Sequence, residues 1–332
     1  MKILLTVSVT LILLLPNLYH PIFAESHLDV EKKPEIIYNQ TGKYYEIYHQ
    51  TPSENITLVL SENKIIFNLI PRITGNGTVT SFDMSLKPEL KDLYSQVGFP
   101  TKSNNVIFVY PVFTQAAYGK NGFYDYYNKK CDASCLTIDI PSSFSGTYSS
   151  SIVSSYVLNM LNYSFITDVD VDKNPQILQK YDTVIILHNE YVTKNEFNAI
   201  TNHPHVIYLY SNALFAEVRS NYTDNTIKLI KGHGYPNETI QNGFDWKNDN
   251  TKFEYDLKCT NWNFIDIDNG KMLNCYPDYA MLYDKNLLHY IKEQSIQSVP
   301  EFDNVIFVII TSMIAVLLLN KFKMFSYKIT KL

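Results

Sequence analysis

The chain is short of basic charge. Its 332 residues include 28 lysines and arginines against 33 aspartates and glutamates, a net −5 at pH 7. Across the interior the deficit deepens. Every acidic residue lies between Glu25 and Asp303, while Lys2, Lys321, Lys323, Lys328 and Lys331 lie outside that interval. Removing those five leaves 23 basic residues and a net −10 between the ends. Such a surface repels a phosphate backbone, which argues against nucleic acid as a partner. Cysteine is also scarce: Cys131, Cys135, Cys259 and Cys275 are the only four. One close pair with no second close pair is a poor zinc pattern. There is no internal repeat and no low-complexity block, and long apolar runs occur only near the two ends.

Those two runs set the expected compartment. Lys2 precedes the apolar stretch 3–15, then Pro16 and Ile22-Phe23-Ala24. The stretch is too short to span a bilayer and reads as a signal peptide, residues 1–24. At the other end, 305–319 carries no charge, and 302–322 reaches the roughly 20 residues a transmembrane helix needs. Lysines follow it and Asp303 precedes it, so the positive-inside rule puts the tail 323–332 in the cytoplasm. The expectation is a single-pass type I protein of the cell membrane with an extracellular domain. Six sequons, at Asn39, Asn55, Asn76, Asn162, Asn221 and Asn237, suit a glycosylated exported surface. In that oxidising setting the cysteines are expected as two disulfides, Cys131 with Cys135 and Cys259 with Cys275. A two-residue turn at Asn269-Gly270 would set Cys275 opposite Phe264, so the second bridge needs a bend at 260–263.

Residues 25–43 show no periodicity and read as a linker. Four β-rich runs follow, 44–48, 56–60, 64–70 and 78–82, separated by turn residues. They predict a small antiparallel β module over 44–100, closed by a helix at 86–97. From 101 to 295 the pattern alternates. Strands are expected at 106–110, 136–140, 165–171, 184–187 and 206–210, with helices at 123–127, 149–161 and 175–179 among them. That alternation predicts an α/β fold with a mostly parallel, Rossmann- or flavodoxin-like sheet. Further runs at 226–230, 253–257, 262–267 and 271–275 are β-like, the last two forming a hairpin over Asp268-Asn269-Gly270, and a helix at 282–293 leads to the membrane span.

The stretch 181–218 organises this domain. Two uniformly apolar runs flank a short polar helix, and such strands are buried on both faces. His188-Asn189-Glu190-Tyr191 directly follows the first strand, and Ser211-Asn212 closes the second. Ligands of open α/β sheets collect beyond the carboxyl ends of strands. The ligand-binding candidates are therefore His188, Glu190, Tyr191, Asn212 and Glu217, with His233 arriving from the Gly232-His233-Gly234 turn. Their alternative role is local, capping the helix after Thr193 and satisfying loop backbone. His203 and His205 read as surface-loop residues, and Tyr235, Phe244 and Trp246 as aromatics of a polar recognition loop.

The segments 188–193 and 206–218 resemble the class I glutamine amidotransferase-like superfamily, and within it the carboxyl-terminal domain of the N,N-dimethylformamidase large subunit. The resemblance implies an amidotransferase-like sheet. True amidotransferases carry a cysteine nucleophile on a Gly-x-Cys-x-Gly turn; here the turn reads Tyr208-Leu209-Tyr210-Ser211-Asn212, with neither cysteine nor glycine. The dimethylformamidases use iron held by tyrosine and glutamate oxygens. Tyr191 matches one such position, and Phe215, which has no oxygen, falls at another. The expected function is ligand or envelope-partner binding by a non-catalytic surface domain, with no cofactor required and glycans or envelope proteins as partners. The alternatives are a surface amidohydrolase, in which iron or zinc would act, and a structural envelope protein.

Overall fold

The computed structural model describes residues 9–11, 35–39, 43–50, 55–73, 79–142, 151–254, 256 and 261–296. The first strands are β1 (Val9–Leu11), β2 (Glu35–Asn39), β3 (Tyr44–Gln50) and β4 (Asn55–Ser61), which pair antiparallel in that order. β5 (Phe67–Ile73) and β6 (Val79–Leu86) form a separate hairpin. The expected β module is thus antiparallel, but it is two sheets. The expected linker 25–43 contains β2, whose Ile36-Ile37-Tyr38 run has β-branched and aromatic residues that suit a pleated surface. Val9–Leu11, inside the expected signal peptide, pairs with 36–38 of β2.

The chain continues through α1 (Lys91–Val97), β7 (Val106–Tyr110), α2 (Val112–Ala117), α3 (Phe123–Tyr127), β8 (Thr137–Asp139), α4 (Ile152–Met160), β9 (Ser164–Thr167) and α5 (Asp168–Lys173). Then come β10 (Thr183–Ile186), β11 (Tyr191–Thr193), α6 (Lys194–Thr201), β12 (Val206–Tyr208), β13 (Ala216–Asn221), β14 (Thr226–Lys231), β15 (Phe264–Ile267), β16 (Gly270–Leu273) and α7 (Lys285–Ile296).

The main sheet has six strands in the order β15-β16-β12-β10-β7-β9. Every pairing is parallel except the edge hairpin β15–β16. Counting its parallel strands in chain order, the sequence across the sheet is 2-1-3-4-5. The chain leaves β7 for one side and β10 for the other, so the switch point falls between them and opens a crevice at their carboxyl ends. β7, β10 and β12 are buried throughout, as their unbroken apolar runs require. Side chains alternate between two cores. Phe108, Ile185 and Ile207 enter one; Val109, Ile186 and Tyr208 enter the other. Tyr45, Leu60, Ile65 and Phe67 share the first core, so the β module and the α/β region have no boundary in their packing at residue 100.

A second sheet was not legible beforehand. It runs β11-β13-β14-β8, parallel between β11 and β13 and antiparallel otherwise. Residues 187–190 carry the chain from the main sheet into this smaller one. Three expected elements also change. The strand over 165–171 stops at Thr167, because Thr167 and Asp170 form a capping box that starts α5. Thr251–Phe253 is a 3-10 turn where a strand was expected. In the β15–β16 hairpin, Phe264 pairs with Leu273, with Asp268-Asn269 as the turn, so Phe264 does not face Cys275.

Cys131 and Cys135 are bridged, their Cα atoms 6.0 Å apart. Cys259, half of the second expected bridge, lies outside the described residues, as does Asn76. Asn55, Asn221 and Asn237 are exposed, whereas Asn162 is half-buried and its amide donates to Phe99 O at 2.8 Å. No helix among the described residues is long and apolar enough to cross a membrane. The expected span 302–322 lies outside them.

Candidate functional site

Glu190 is the centre of the switch-point crevice, and it is buried completely. Its backbone is fixed from both neighbouring strands. The Glu190 and Tyr191 amides both donate to Thr114 Oγ1, at 3.0 and 3.2 Å, from the helix that follows β7. The Glu190 carbonyl accepts from Phe215 and Ala216 at 3.0 and 2.9 Å, where the chain leaves β12 for β13. His188 N donates to Ser151 Oγ at 2.9 Å. The tips of the first, third and fourth parallel strands thereby meet at the backbone of one residue, Glu190.

The side chain has equally defined neighbours. Tyr118 OH donates to Tyr124 OH at 2.8 Å, and Tyr124 OH donates to Glu190 Oε1 at 2.8 Å. His233 Nε2 lies 2.7 Å from the same Oε1, and His188 Nε2 lies 3.7 Å from Oε2. Tyr191 stacks on the His233 ring with centroids 5.6 Å apart, and Phe215 packs on it at 4.5 Å. His233 adopts φ 51°, a left-handed conformation, between two glycines. Gly232 is required there for space: a Cβ on it would stand 2.8 Å from Ala216 Cα, and its φ of 130° excludes most side chains. This close approach of the turn to β13 is what delivers His233 to Glu190.

Burial raises the pKa of Tyr118, Tyr124 and Tyr191 well above the usual phenol value. For Tyr118 and Tyr124 the next cause is the negative charge of Glu190; for Tyr191 it is Tyr127, then Glu190. The phenols stay protonated across the physiological range and act as donors to the carboxylate.

His233 and Phe215 also line a cleft of about 840 Å³, from which Glu190 itself is screened. Asn212, Phe215, His233 and Glu254 form its walls, with Tyr126 and Tyr127 from α3. The Cys131–Cys135 bridge sits at its rim beside Lys129 and Lys130. The volume is within the range of about 300–1,000 Å³ typical of small-molecule sites. Asn212 is 2 % exposed, has a left-handed φ of 58°, and its Oδ1 is buried with no hydrogen-bond partner. Leu214, two residues on, has φ 57°, a strained value for a branched side chain. Buried acceptors are ordinarily paired, so an orphan in the wall of a cleft marks a place for a ligand or water.

No protein-family model and no curated protein matches this sequence. The site therefore has to be read from its own geometry.

Five of the six expected residues come together: His188, Glu190, Tyr191, Asn212 and His233. Glu217 does not. It pairs with Lys231 at 3.7 Å across β13 and β14, outside the cleft. Glu190 is fully buried and does not itself line the cleft. His203 and His205 were expected on a surface loop; both are buried and tie the chain, His203 contacting Tyr181 O at 3.0 Å and His205 contacting Thr183 Oγ1 at 2.9 Å. Phe244 stacks on Phe197 at 4.1 Å and Trp246 packs against Tyr208 at 5.2 Å, so both serve the core. Tyr118, Tyr124, Tyr127 and Glu254 were missed. The run Phe123-Tyr124-Asp125-Tyr126-Tyr127, with three tyrosines in five residues, was the available signal.

The iron site implied by the resemblance does not fit these residues. Tyr191 is fully buried against the His233 ring, held protonated, and faces no second phenol at Phe215. Among the described residues no group of three His, Cys, Asp or Glu side chains is arranged to hold a metal ion.

Proposed function

We propose that this chain is a single-pass cell-surface protein whose glycosylated α/β ectodomain binds a small ligand in the switch-point cleft and does not cleave it. The 2-1-3-4-5 strand order is the one found in flavodoxin-like sheets, where ligands bind in the crevice beyond the first and third strands. One observation carries the reading: Asn212, whose buried Oδ1 has no hydrogen-bond partner, lines a cleft together with His233, the residue that contacts Glu190. The turn before it has no thiol, and Ser211 Oγ is buried at 1 % exposure without a hydrogen-bond partner, so no activated nucleophile is in place. Membrane attachment rests on the apolar run 305–319 and the lysines that follow it.

The test is thermal unfolding of the purified full-length protein against a library of small polar molecules. A ligand present at 100 times its Kd stabilises by about 2.7 kcal/mol, read as a rise in Tm. The reading expects such ligands, and expects Asn212→Gly to abolish their effect. Equal stabilisation of both proteins would move the site elsewhere.

A second reading is favoured by the His233–Glu190 contact. A carboxylate beside a histidine is the arrangement of a general base, and His233 lines the cleft. Hydrolysis of amide substrates that disappears in His233→Asn would establish it.

A further inference from the structure

We propose that Asn237 carries an N-linked glycan that stands at the mouth of the cleft and limits what can enter it. This rests on the export reading above and on no property of the cleft's ligand. Asn237 opens the sequon Asn237-Glu238-Thr239, and all three residues are exposed. Glu238 beside it, with Gly234 and Gln241 of the same loop, lines the cleft. The loop is held by its own backbone. His233 N donates to Gln241 O at 2.9 Å, Gly234 N to Ile240 O at 2.7 Å and Ile240 N to Asn237 O at 2.9 Å. A group attached to Asn237 is therefore attached to the cleft wall.

The acceptor atom is also available. Asn237 Oδ1 accepts from Thr239 N at 3.0 Å and from Thr239 Oγ1 at 3.2 Å, a turn closed within the sequon by the asparagine side chain. Those bonds occupy the carbonyl end of the amide. Nδ2 has no hydrogen-bond partner among the described residues, so a sugar on it breaks no contact. Asn162 is the opposite case. It is half-buried, its Nδ2 donates to Phe99 O at 2.8 Å, Tyr163 is fully buried, and Ser164 Oγ donates to Ser103 O. All three side chains of that sequon are committed to packing. Asn55 and Asn221 are exposed, but neither belongs to a segment that lines the cleft.

The transfer needs a lipid-linked oligosaccharide pyrophosphate as donor. Nδ2 bonds to the anomeric carbon of the first sugar, and the bond from that carbon to the pyrophosphate oxygen breaks. Nδ2 gives up one proton and the lipid pyrophosphate leaves; nothing is oxidised or reduced. The product is bulky and hydrated. Small molecules pass it, whereas a macromolecule approaching the cleft meets the glycan first.

The experiment uses the full-length protein made through the secretory pathway of a host that performs N-glycosylation. Occupancy is mapped on peptides after enzymatic glycan release, which converts a modified asparagine to aspartate. Access is read from labelling of Lys129 and Lys130, exposed residues of the cleft lining, by an amine-reactive reagent coupled to a large polymer. Lys91 and Lys285, exposed outside the cleft, are the references. Asn237 is expected to be occupied and Asn162 bare. Asn237→Gln is expected to speed polymer labelling of Lys129 and Lys130 by about threefold or more over the references, while a small amine-reactive reagent labels parent and variant equally. Enzymatic release from the folded parent gives the same comparison if the variant misfolds. A bare Asn237 beside other occupied sequons overturns the proposal, as does occupancy with unchanged polymer labelling; both leave the small-ligand reading standing. An occupied Asn162 overturns the claim that packing decides between the sequons. No glycan at any sequon overturns this proposal and the export reading together.

Discussion

Glu190 shows how far a residue's role depends on what reaches it. In the sequence it sits in a polar tetrapeptide after a strand, where an exposed carboxylate would add little to stability. In the fold it is fully buried, accepts from Tyr124 at 2.8 Å and touches His233 at 2.7 Å. Replacing it with glutamine keeps the shape but loses charge-assisted hydrogen bonding, so Glu190→Gln is expected to destabilise the protein by about 2 kcal/mol. Urea unfolding checks this; a midpoint within error of the parent would mean the carboxylate is not committed to its neighbours. Its position beyond a strand was legible because uniformly apolar runs announce buried parallel strands. Its burial was not, because Tyr124 lies 66 residues away and only the fold brings the two together. A second buried carboxylate gives a pH signature. Glu196 is fully buried with neither oxygen hydrogen-bonded, and burial, then Asp168 and Asp172, raise its pKa well above the usual value of 4.5. The folded protein then keeps a proton that the unfolded chain releases above that value, so stability falls as pH rises from there towards the folded ionisation. Glu196→Gln is expected to flatten this slope and to stabilise at pH 7.5 by an amount on the order of 1 kcal/mol. Parallel pH profiles for variant and parent would contradict it.

Among the elements, the parallel strands were legible and the connections were not. β7, β10 and β12 are apolar on both faces, a pattern that polar loops do not imitate. β11 has three residues, too few to show a period, and α2 follows Pro111 in a run whose apolar residues continue those of β7. The second sheet that turns residues 187–190 into a bridge was hidden for that reason. Two elements make testable contributions. Gly270 has φ 151°, and a Cβ on it would collide with the Val206 backbone, because β16 and β12 approach most closely there. Gly270→Ala is expected to cost about 3 kcal/mol or more, read as loss of soluble protein or a much lower Tm. A near-parental Tm would show that this strand pair is not held so tightly. The Cys131–Cys135 bridge closes a short loop at the cleft rim. Replacing both cysteines with serine is expected to cost about 2 kcal/mol by the loop-entropy relation. It is also expected to loosen Lys129–Asp132 and so weaken ligands of the cleft more than it lowers overall stability.

For the whole molecule, the proposed export and membrane attachment rest on the apolar runs 3–15 and 305–319. If 305–319 spans a membrane as proposed, the lysines after it predict a cytoplasmic tail. Protease added outside sealed cells is expected to digest the ectodomain and spare a tag at Leu332; loss of the tag would reverse it. The central claim, however, is that the cleft binds. Its most direct measurement is a crystal structure of the protein soaked with the ligands that raise its Tm. Ligand density is expected in contact with both the Asn212 and His233 side chains, with His233 still beside Glu190. Ligand density only elsewhere on the protein, over a cleft filled with solvent, would contradict it.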